Sequence, residues 1–295
     1  MLNDKYQKIS IACSDDLIEI ISDYLMNKNT GGVITEDKKH NDLTVLTSYI
    51  NPQQAKTLTK DEIEKYIESI KANFANPCYT IIALDYIQAE DWLAGWKKTF
   101  VPLHVTSKFV VRPTWESYKI QPGEIEIIID PKMAFGTGHH ETTAQCLQAL
   151  ERMNIMGKRV LDYGCGSGIL AIAAYKLGAD KIIGCDIDSE AIECARENIA
   201  LNRAKVDLIE SGNYIADPPC DIIAANLTVD QIKAVFKELN KSLKSGGQII
   251  FSGIPIFDKE RFLTFMFDKP CVIYDELSGT EWISYIATKE SHGRN

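Results

Sequence analysis

From position 160 the chain reads Val160-Leu161-Asp162-Tyr163-Gly164-Cys165-Gly166-Ser167-Gly168, an apolar run that enters glycines on alternate positions. Ile169-Leu170-Ala171-Ile172-Ala173-Ala174 follows and continues to about Leu177, so the stretch predicts a strand, a tight loop and a helix. Glycines let the backbone turn sharply and approach a ligand closely, and the N-terminus of the next helix faces the same point. The dinucleotide fingerprint G-x-G-x-x-G needs a glycine where this chain has Ile169, and the extra glycine stands instead at Gly168. That departure counts against NAD or FAD as the ligand.

With Asp162 two places before the first glycine, the stretch has the form D-x-G-x-G-x-G, which resembles the loop of class I S-adenosylmethionine (AdoMet) methyltransferases. A sulfonium and a zwitterionic amino acid tolerate a carboxylate beside the loop, whereas a pyrophosphate would be repelled by it. The next strand, Lys181 to Asp186, ends in an acid 22 positions after Gly164 (186 − 164), where nucleotide-binding α/β proteins place a carboxylate for ribose hydroxyls. Asp186 is therefore the ribose candidate. Asp188 and Ser189 precede the helix Glu190 to Leu201, and Asp188 reads as its N-cap.

Two further stretches carry polar groups to the same edge. Asp130-Pro131-Lys132-Met133-Ala134-Phe135-Gly136-Thr137-Gly138-His139-His140-Glu141-Thr142-Thr143 pairs a flexible turn with the start of a helix running to about Glu151, which Thr142 or Thr143 is expected to cap. His139-His140-Glu141 lacks H-E-x-x-H spacing, so no metal is expected. Asp221-Ile222-Ile223-Ala224-Ala225-Asn226-Leu227-Thr228 is an apolar strand ending in an amide at the carboxyl edge, where open α/β sheets keep their sites. Asn226 fits two roles: a carbonyl that accepts a substrate N–H and orients the nitrogen lone pair, or the cap of the helix that runs to about Leu243.

The rest of the chain divides into three. Residues 1–88 read as a small α+β unit: a strand Gln7 to Ala12, a helix capped by Ser14-Asp15-Asp16, strands Val33 to Thr35 and Leu43 to Ile50 around the polar turn Glu36 to Asn41, a helix opened by the Thr59/Glu62 capping box and reaching about Phe74, and a strand Tyr79 to Ile87. The order βαββαβ is ferredoxin-like. Residues 89–120 carry Trp92, Trp96, Trp115, Pro102 and Pro113 and read as an ordered aromatic connector. From 121 to 295 strands and helices alternate: Glu126 to Asp130, Arg159 to Tyr163, Lys181 to Asp186, Val206 to Glu210, Asp221 to Asn226 and Gln248 to Ser252. That pattern predicts a parallel sheet covered on both faces, closed by an antiparallel hairpin of Cys271 to Leu277 and Trp282 to Thr288.

Composition narrows the function without naming it. The 295 residues are 45% hydrophobic and 25% charged, which is globular and excludes disorder, collagen and coiled coil. No apolar run is long enough to span a membrane and no signal-peptide pattern opens the chain, so a cytoplasmic location is expected. Eight cysteines form no C-x-x-C pair, which argues for reduced, buried thiols rather than zinc or disulfides. The net charge of −9 disfavours direct binding to nucleic acid and suits a basic macromolecular substrate.

The quoted motifs together are similar to those of the PrmA family: Phe135 to Thr143, then Asp162 to Gly168 continuing to Ala174, then Gly184-Cys185-Asp186-Ile187-Asp188. The similarity extends to the two-domain plan. It implies an α/β class I methyltransferase domain with a Rossmann-like doubly wound sheet, preceded by a ferredoxin-like domain that holds the substrate. It also implies transfer of methyl groups from AdoMet to lysine ε-amines and the N-terminal α-amine of bacterial large-subunit ribosomal protein eleven, free or on the ribosome. By the same resemblance Thr143, Gly164, Asp186 and Asn226 occupy AdoMet-binding positions, with Phe135 and Gly138 near it, Asp162 and Gly166 within the loop, and Asn226 as the residue whose loss should lower turnover. Where family members commonly read Thr-His-Pro-Thr-Thr and Asn-Ile-Leu-Ala, this chain has His139-His140-Glu141-Thr142-Thr143 and Asn226-Leu227-Thr228-Val229.

Three other functions compete with that reading. One is an AdoMet-dependent methyltransferase of RNA or a small molecule; the strand Leu43 to Tyr49 lacks the interleaved aromatics on which RNA-recognition modules stack bases. Another is a ribosome-assembly factor that binds AdoMet without catalysis. An NAD-dependent oxidoreductase is the last, disfavoured by Ile169.

Overall fold

The computed structural model describes residues 5–26, 28, 33–40, 43–51, 56–71, 77–88, 101–130 and 140–291, and the chain divides into two compact units, Met1–Thr99 and Phe100–Asn295. The first unit runs β1 (Lys5–Cys13), α1 (Asp15–Met26), β2 (Val33–His40), β3 (Leu43–Ile50), α2 (Lys60–Lys71) and β4 (Tyr79–Gln88). Its sheet has the order β2-β3-β1-β4 with every neighbour antiparallel. Ile9, Ile11 and Leu46 from the sheet meet Leu17, Ile21 and Leu25 from α1 and Ile63 and Ile67 from α2 in one core. The capping box forms: Glu62 N–H donates to Thr59 Oγ1 at 3.2 Å and Thr59 N–H to Glu62 Oε2 at 2.9 Å. Buried Gln7 borrows the pattern of a strand, donating to Leu58 O at 2.6 Å and accepting from Leu58 N at 2.8 Å.

One expectation for this unit fails. Glu36 to His40 is not turn but the second half of β2, with His40 opposite Leu43. As an edge strand β2 tolerates charged side chains, and the backbone of β3 offers pairing that a polar composition does not reveal. The helix end expected near Phe74 falls outside the described residues, as do Trp92, Trp96, Phe135 and Gly138.

The second unit opens with three short strands, β5 (Leu103–His104), β6 (Phe109–Arg112) and β7 (Ile125–Ile128), in a sheet of their own. There follow α3 (Glu141–Arg152), β8 (Arg159–Tyr163), α4 (Ile169–Lys176), β9 (Lys181–Asp186), α5 (Ser189–Leu201), β10 (Asp207–Glu210), β11 (Cys220–Asn226), α6 (Val229–Ser242), β12 (Leu243–Pro255), a 3₁₀ turn (Ile256–Asp258), α7 (Lys259–Met266), β13 (Cys271–Ser278) and β14 (Trp282–Lys289). The seven-stranded sheet has the order β10-β9-β8-β11-β12-β14-β13, with β14 antiparallel to both its neighbours. Neighbouring strand residues feed opposite faces. Val160, Ile222 and Ile250 join Leu147, Leu170 and Ile199 from α3, α4 and α5, while Leu161, Ile223 and Phe251 join Ile232, Phe236 and Phe262 from α6 and α7. Burial on both faces is why these strands are nearly unbroken apolar runs. Seven of the eight cysteines are buried, and Cys78 is exposed.

The strand expected at Glu126 to Asp130 does form, as β7, but it lies outside the main sheet and pairs parallel with β6. Its other edge is taken by amides: Asn202 Oδ1 accepts from Ile128 N–H at 2.9 Å, Asn202 Nδ2 donates to Ile128 O at 2.6 Å, and Asn198 Oδ1 accepts from Asp130 N–H at 3.1 Å. Two side chains of α5 thus satisfy the backbone groups that a further strand would have filled. None of the described helices is long and apolar enough to cross a membrane.

The strand order reverses direction at β8: β9 and β10 lie to one side, β11 and β12 to the other. The loops leaving β8 and β11 therefore diverge at their carboxyl ends and open a crevice between them, the place where open α/β sheets bind ligands.

Candidate functional site

The glycine loop leaves β8 at Tyr163, and its Gly164 and Gly168 adopt φ of +75° and +78°, values that L side chains rarely take. A Cβ on Gly164 would lie 2.6 Å from Leu227 Cδ2, and one on Gly168 would lie 3.2 Å from Ala195 Cβ. The first glycine opens space at the crevice; the second lets α4 and α5 approach. The N–H groups of Gly164 and Cys165 both donate to Cys185 O, at 2.8 and 2.9 Å, which fixes the loop to the end of β9. Asp162 is only 1% exposed and accepts from Ala171 N–H at 3.0 Å. Burial pushes its carboxyl up to about 7, with the Ala171 N–H opposing and Asp186 adding to the rise. Its carboxylate sits behind the loop and does not line the crevice.

Asp186 ends β9 facing the crevice. One carboxylate oxygen accepts from Gly166 N–H at 2.9 Å and the other from Asp188 N–H at 3.1 Å, so the side chain is oriented while each oxygen keeps a lone pair. Asp188 caps α5, accepting from Glu190 N–H at 2.9 Å, as its position in the sequence predicts. Between them Ile187 stands 77% exposed, an apolar side chain on the crevice wall above Gly212.

Across the switch point, the two roles open to Asn226 separate. Thr228 is the residue that caps α6, in a reciprocal capping box with Gln231. Asn226 instead donates from Nδ2 to Thr142 Oγ1 at 3.2 Å. Thr142 and Thr143 do not cap α3 either. His140 does, its Nδ1 accepting from Thr142 N–H at 3.3 Å and lying 2.7 Å from Thr142 Oγ1. The two threonines stand two and three positions past that cap, already inside the helix, and are buried at 0% and 1% exposure. Thr143 Oγ1 is buried with no hydrogen-bond partner among the described residues. Burial holds the His140 imidazole below its ordinary pKa against the pull of Glu141 and Glu281, which favours the neutral ring.

Part of this set surrounds one cavity of about 650 Å3, a size suited to a cofactor or other small molecule, while Asp162 and Thr143 are buried and do not line it. Gly164, Gly166, Asp186 and Asn226 all line it. Leu227, where the chain departs from the family pattern, lines it too, and so do Ile187, Ser211, Gly253 and Trp282, which were not singled out from the sequence. Ser211-Gly212 sits just past β10, so strand-end position was an available signal; nothing local marks Gly253 or Trp282. The lining combines the Asp186 carboxylate, the amides of Asn226 and Gln231, the hydroxyls of Thr142, Tyr163, Ser211 and Thr228, the His140 imidazole and apolar side chains; among the described residues it holds no thiol or ammonium group. Such a set can bind and orient a small polar ligand.

A family model described as "Ribosomal protein L11 methyltransferase (PrmA)" matches residues 5–290. The ribosomal protein L11 methyltransferase of Syntrophomonas wolfei subsp. wolfei is 31% identical over 316 residues, covering 97% of this chain and 100% of that protein. Its counterpart in Geobacter sulfurreducens is 34% identical over 257 residues, covering 84% of this chain and 85% of that one. Among solved structures, the ribosomal protein L11 methylase of Lactobacillus delbrueckii subsp. bulgaricus matches with a TM-score of 0.60 at 30% identity, over 65% of this chain and 100% of that chain.

Proposed function

Because the chain belongs to the ribosomal protein L11 methyltransferase (PrmA) family, we propose that it transfers methyl groups from AdoMet to lysine ε-amines and the N-terminal α-amine of large-subunit ribosomal protein eleven, in the cytoplasm. The observation that carries this reading is the convergence of the glycine loop, Asp186 and Asn226 on one cavity at the sheet's switch point.

The residues present fit AdoMet. Asp186 has lone pairs for ribose hydroxyls, Ile187 offers an apolar surface to a base, and Gly164 leaves room where a Cβ would strike Leu227. Asp162 acts at one remove, tying the first turn of α4 to β8 through Ala171 N–H. When bound, AdoMet supplies an activated methyl group on a sulfonium that is itself a good leaving group.

The chain's task is then to position a neutral amine, since a free lysine ammonium near pKa 10.4 has no lone pair to offer. With Asn226 Nδ2 donating to Thr142, its carbonyl Oδ1 is the atom left to accept an N–H of the amine and aim its lone pair. Desolvation between Leu227 and Trp282 favours the uncharged amine.

The finer architecture belongs to this proposal. The βαββαβ order and the β2-β3-β1-β4 sheet support a ferredoxin-like substrate-recognition domain over residues 1–88, followed by a connector at 89–120 and a methyltransferase domain at 121–295 whose antiparallel β13–β14 pair is its terminal hairpin. Intact-protein mass spectrometry of unmodified ribosomal protein eleven, free and in large subunits, incubated with the enzyme and AdoMet should show gains of about 14 Da per methyl, located by fragmentation on amines. No gain despite calorimetric binding of AdoMet would refute the substrate assignment.

A further inference from the structure

Glu141 is the first residue of α3, and its carboxylate reaches across to the turn between β13 and β14. It accepts from three consecutive backbone N–H groups, Thr280 at 2.5 Å, Glu281 at 3.1 Å and Trp282 at 3.2 Å, and from Thr280 Oγ1 at 3.3 Å. The approach requires Gly279, where a Cβ would lie 1.6 Å from Glu141 Oε1. One helical turn later buried Gln145 donates from Nε2 to Trp282 O at 2.8 Å, and its Oε1 accepts from Ser284 Oγ at 2.6 Å. Both backbone polar groups of Trp282 are thus held by side chains of one helix. The indole meets His140 edge to face, ring centroids 5.0 Å apart and planes at 67°, and both rings line the cavity with Asn226. Burial raises the Glu141 carboxyl, and the N–H groups of Thr280, Glu281 and Trp282 outweigh it, so the group is held below the usual carboxylate range as the anion that accepts these bonds.

We infer that Glu141 is a positioning residue for the transfer step: it anchors the β13–β14 turn so that Trp282 and His140 wall the amine-accepting end of the cavity, and it touches neither reactant. The inference rests on the methyl-transfer reading of the cavity. A purely structural tie has a built-in comparison on the same helix. At the far end of α3, exposed Arg152 donates to Asp275 of β13 at 2.9 Å, linking the same helix to the same strand pair away from the cavity.

The experiment compares wild type, Glu141→Ala, Glu141→Gln and Arg152→Ala by steady-state methylation of ribosomal protein eleven, by calorimetric AdoMet affinity, and by acrylamide quenching of Trp282. The Trp282 signal is isolated by subtracting the spectrum of the matching Trp282→Phe protein. Glu141→Ala should lower kcat by about tenfold or more, because misplacement of a distant wall by a fraction of an ångström costs turnover rather than ground-state binding. AdoMet affinity should stay within about threefold and Trp282 quenching should rise about twofold. Glu141→Gln, which keeps the shape but offers an NH2 group to backbone donors, should fall between, and it carries the test should the alanine variant not fold. Arg152→Ala should match wild type in all three. Unchanged kcat and quenching in a folded Glu141 variant would overturn the inference, as would an equal loss in Arg152→Ala. If wild type itself transfers no methyl group, the functional reading fails separately, and the quenching comparison alone upholds or refutes the anchor.

Discussion

Gly253→Ala is the substitution whose consequence follows most directly from the geometry. Gly253 lies in β12 at φ +78°, lines the cavity, and faces the backbone of Leu227, the residue after Asn226. A Cβ there would sit 2.6 Å from Leu227 O, 2.8 Å from its carbonyl carbon and 3.1 Å from its nitrogen, whereas ordinary contacts begin at 3.4 Å. Relief therefore needs about 0.8 Å of movement (3.4 − 2.6), and the obstacle is backbone, not the free end of a side chain. Leu227 N–H is bonded to Ser252 O at 3.1 Å, so the push falls on the Asn226–Leu227 segment itself. Left-handed φ costs an alanine roughly 1–2 kcal/mol and overpacking roughly 1–3 kcal/mol more, for a total near 2–5 kcal/mol. At about 2–4 °C per kcal/mol, Tm should drop by roughly 4–20 °C. A displacement of this size at the amine-orienting residue should lower kcat by about 100-fold. Gly246→Ala separates the two costs: φ is +73° with nothing within 4 Å of the added carbon, so only the torsional part applies and activity should be retained. Circular-dichroism melts and methylation rates on the three proteins check this. Equal Tm values for Gly253→Ala and Gly246→Ala, or full activity in Gly253→Ala, would refute the contact argument.

Asn226→Ala should lower turnover sharply while Tm stays within a few degrees, because Thr228 and not Asn226 caps α6; wild-type turnover would remove it from the site. Asp186→Ala should weaken AdoMet binding about 10- to 100-fold by calorimetry, the loss of one or two hydrogen bonds to a charged acceptor, and unchanged affinity would disprove the ribose assignment. Asp162 has a folded pKa of about 7 against an ordinary 3.8, so its stabilising contribution is complete below the unfolded value and disappears as pH rises through about 7. Relative to Asp162→Asn, wild-type stability in urea should therefore fall by about 2–3 kcal/mol between pH 5 and 8, and parallel profiles for the two proteins would contradict a buried, raised carboxyl. Carboxyls held low, such as Glu141 and Glu276, shift stability the opposite way but cancel in that comparison.

Local pattern determined much of this protein. Strand β8, the loop of Gly164 and Gly168, β9 with its terminal Asp186, and β3 could be read within a residue of their ends, because apolar period, glycine and capping chemistry act over short stretches and need no partner. The capping box at Thr59 and the cap at Asp188 were legible for the same reason. Other features depended on partners far along the chain. β7 left the main sheet because Asn198 and Asn202, some 70 residues later, satisfied its edge. The polar half of β2 became strand because β3 lay beside it. His140 won the cap of α3 because the two threonines were drawn inward, one of them toward Asn226. Trp282 reached the cavity only because β14 returns antiparallel beside β12 and Glu141, 141 positions earlier, holds its turn. The sequence alone thus determined which groups stand at the carboxyl ends of β8, β9 and β11, since each belongs to its own strand and turn. Only the tertiary structure decided what closes the cavity opposite them, since Gly253, Leu227, Glu141 and Trp282 acquire their roles from contacts across the sheet that no local pattern encodes.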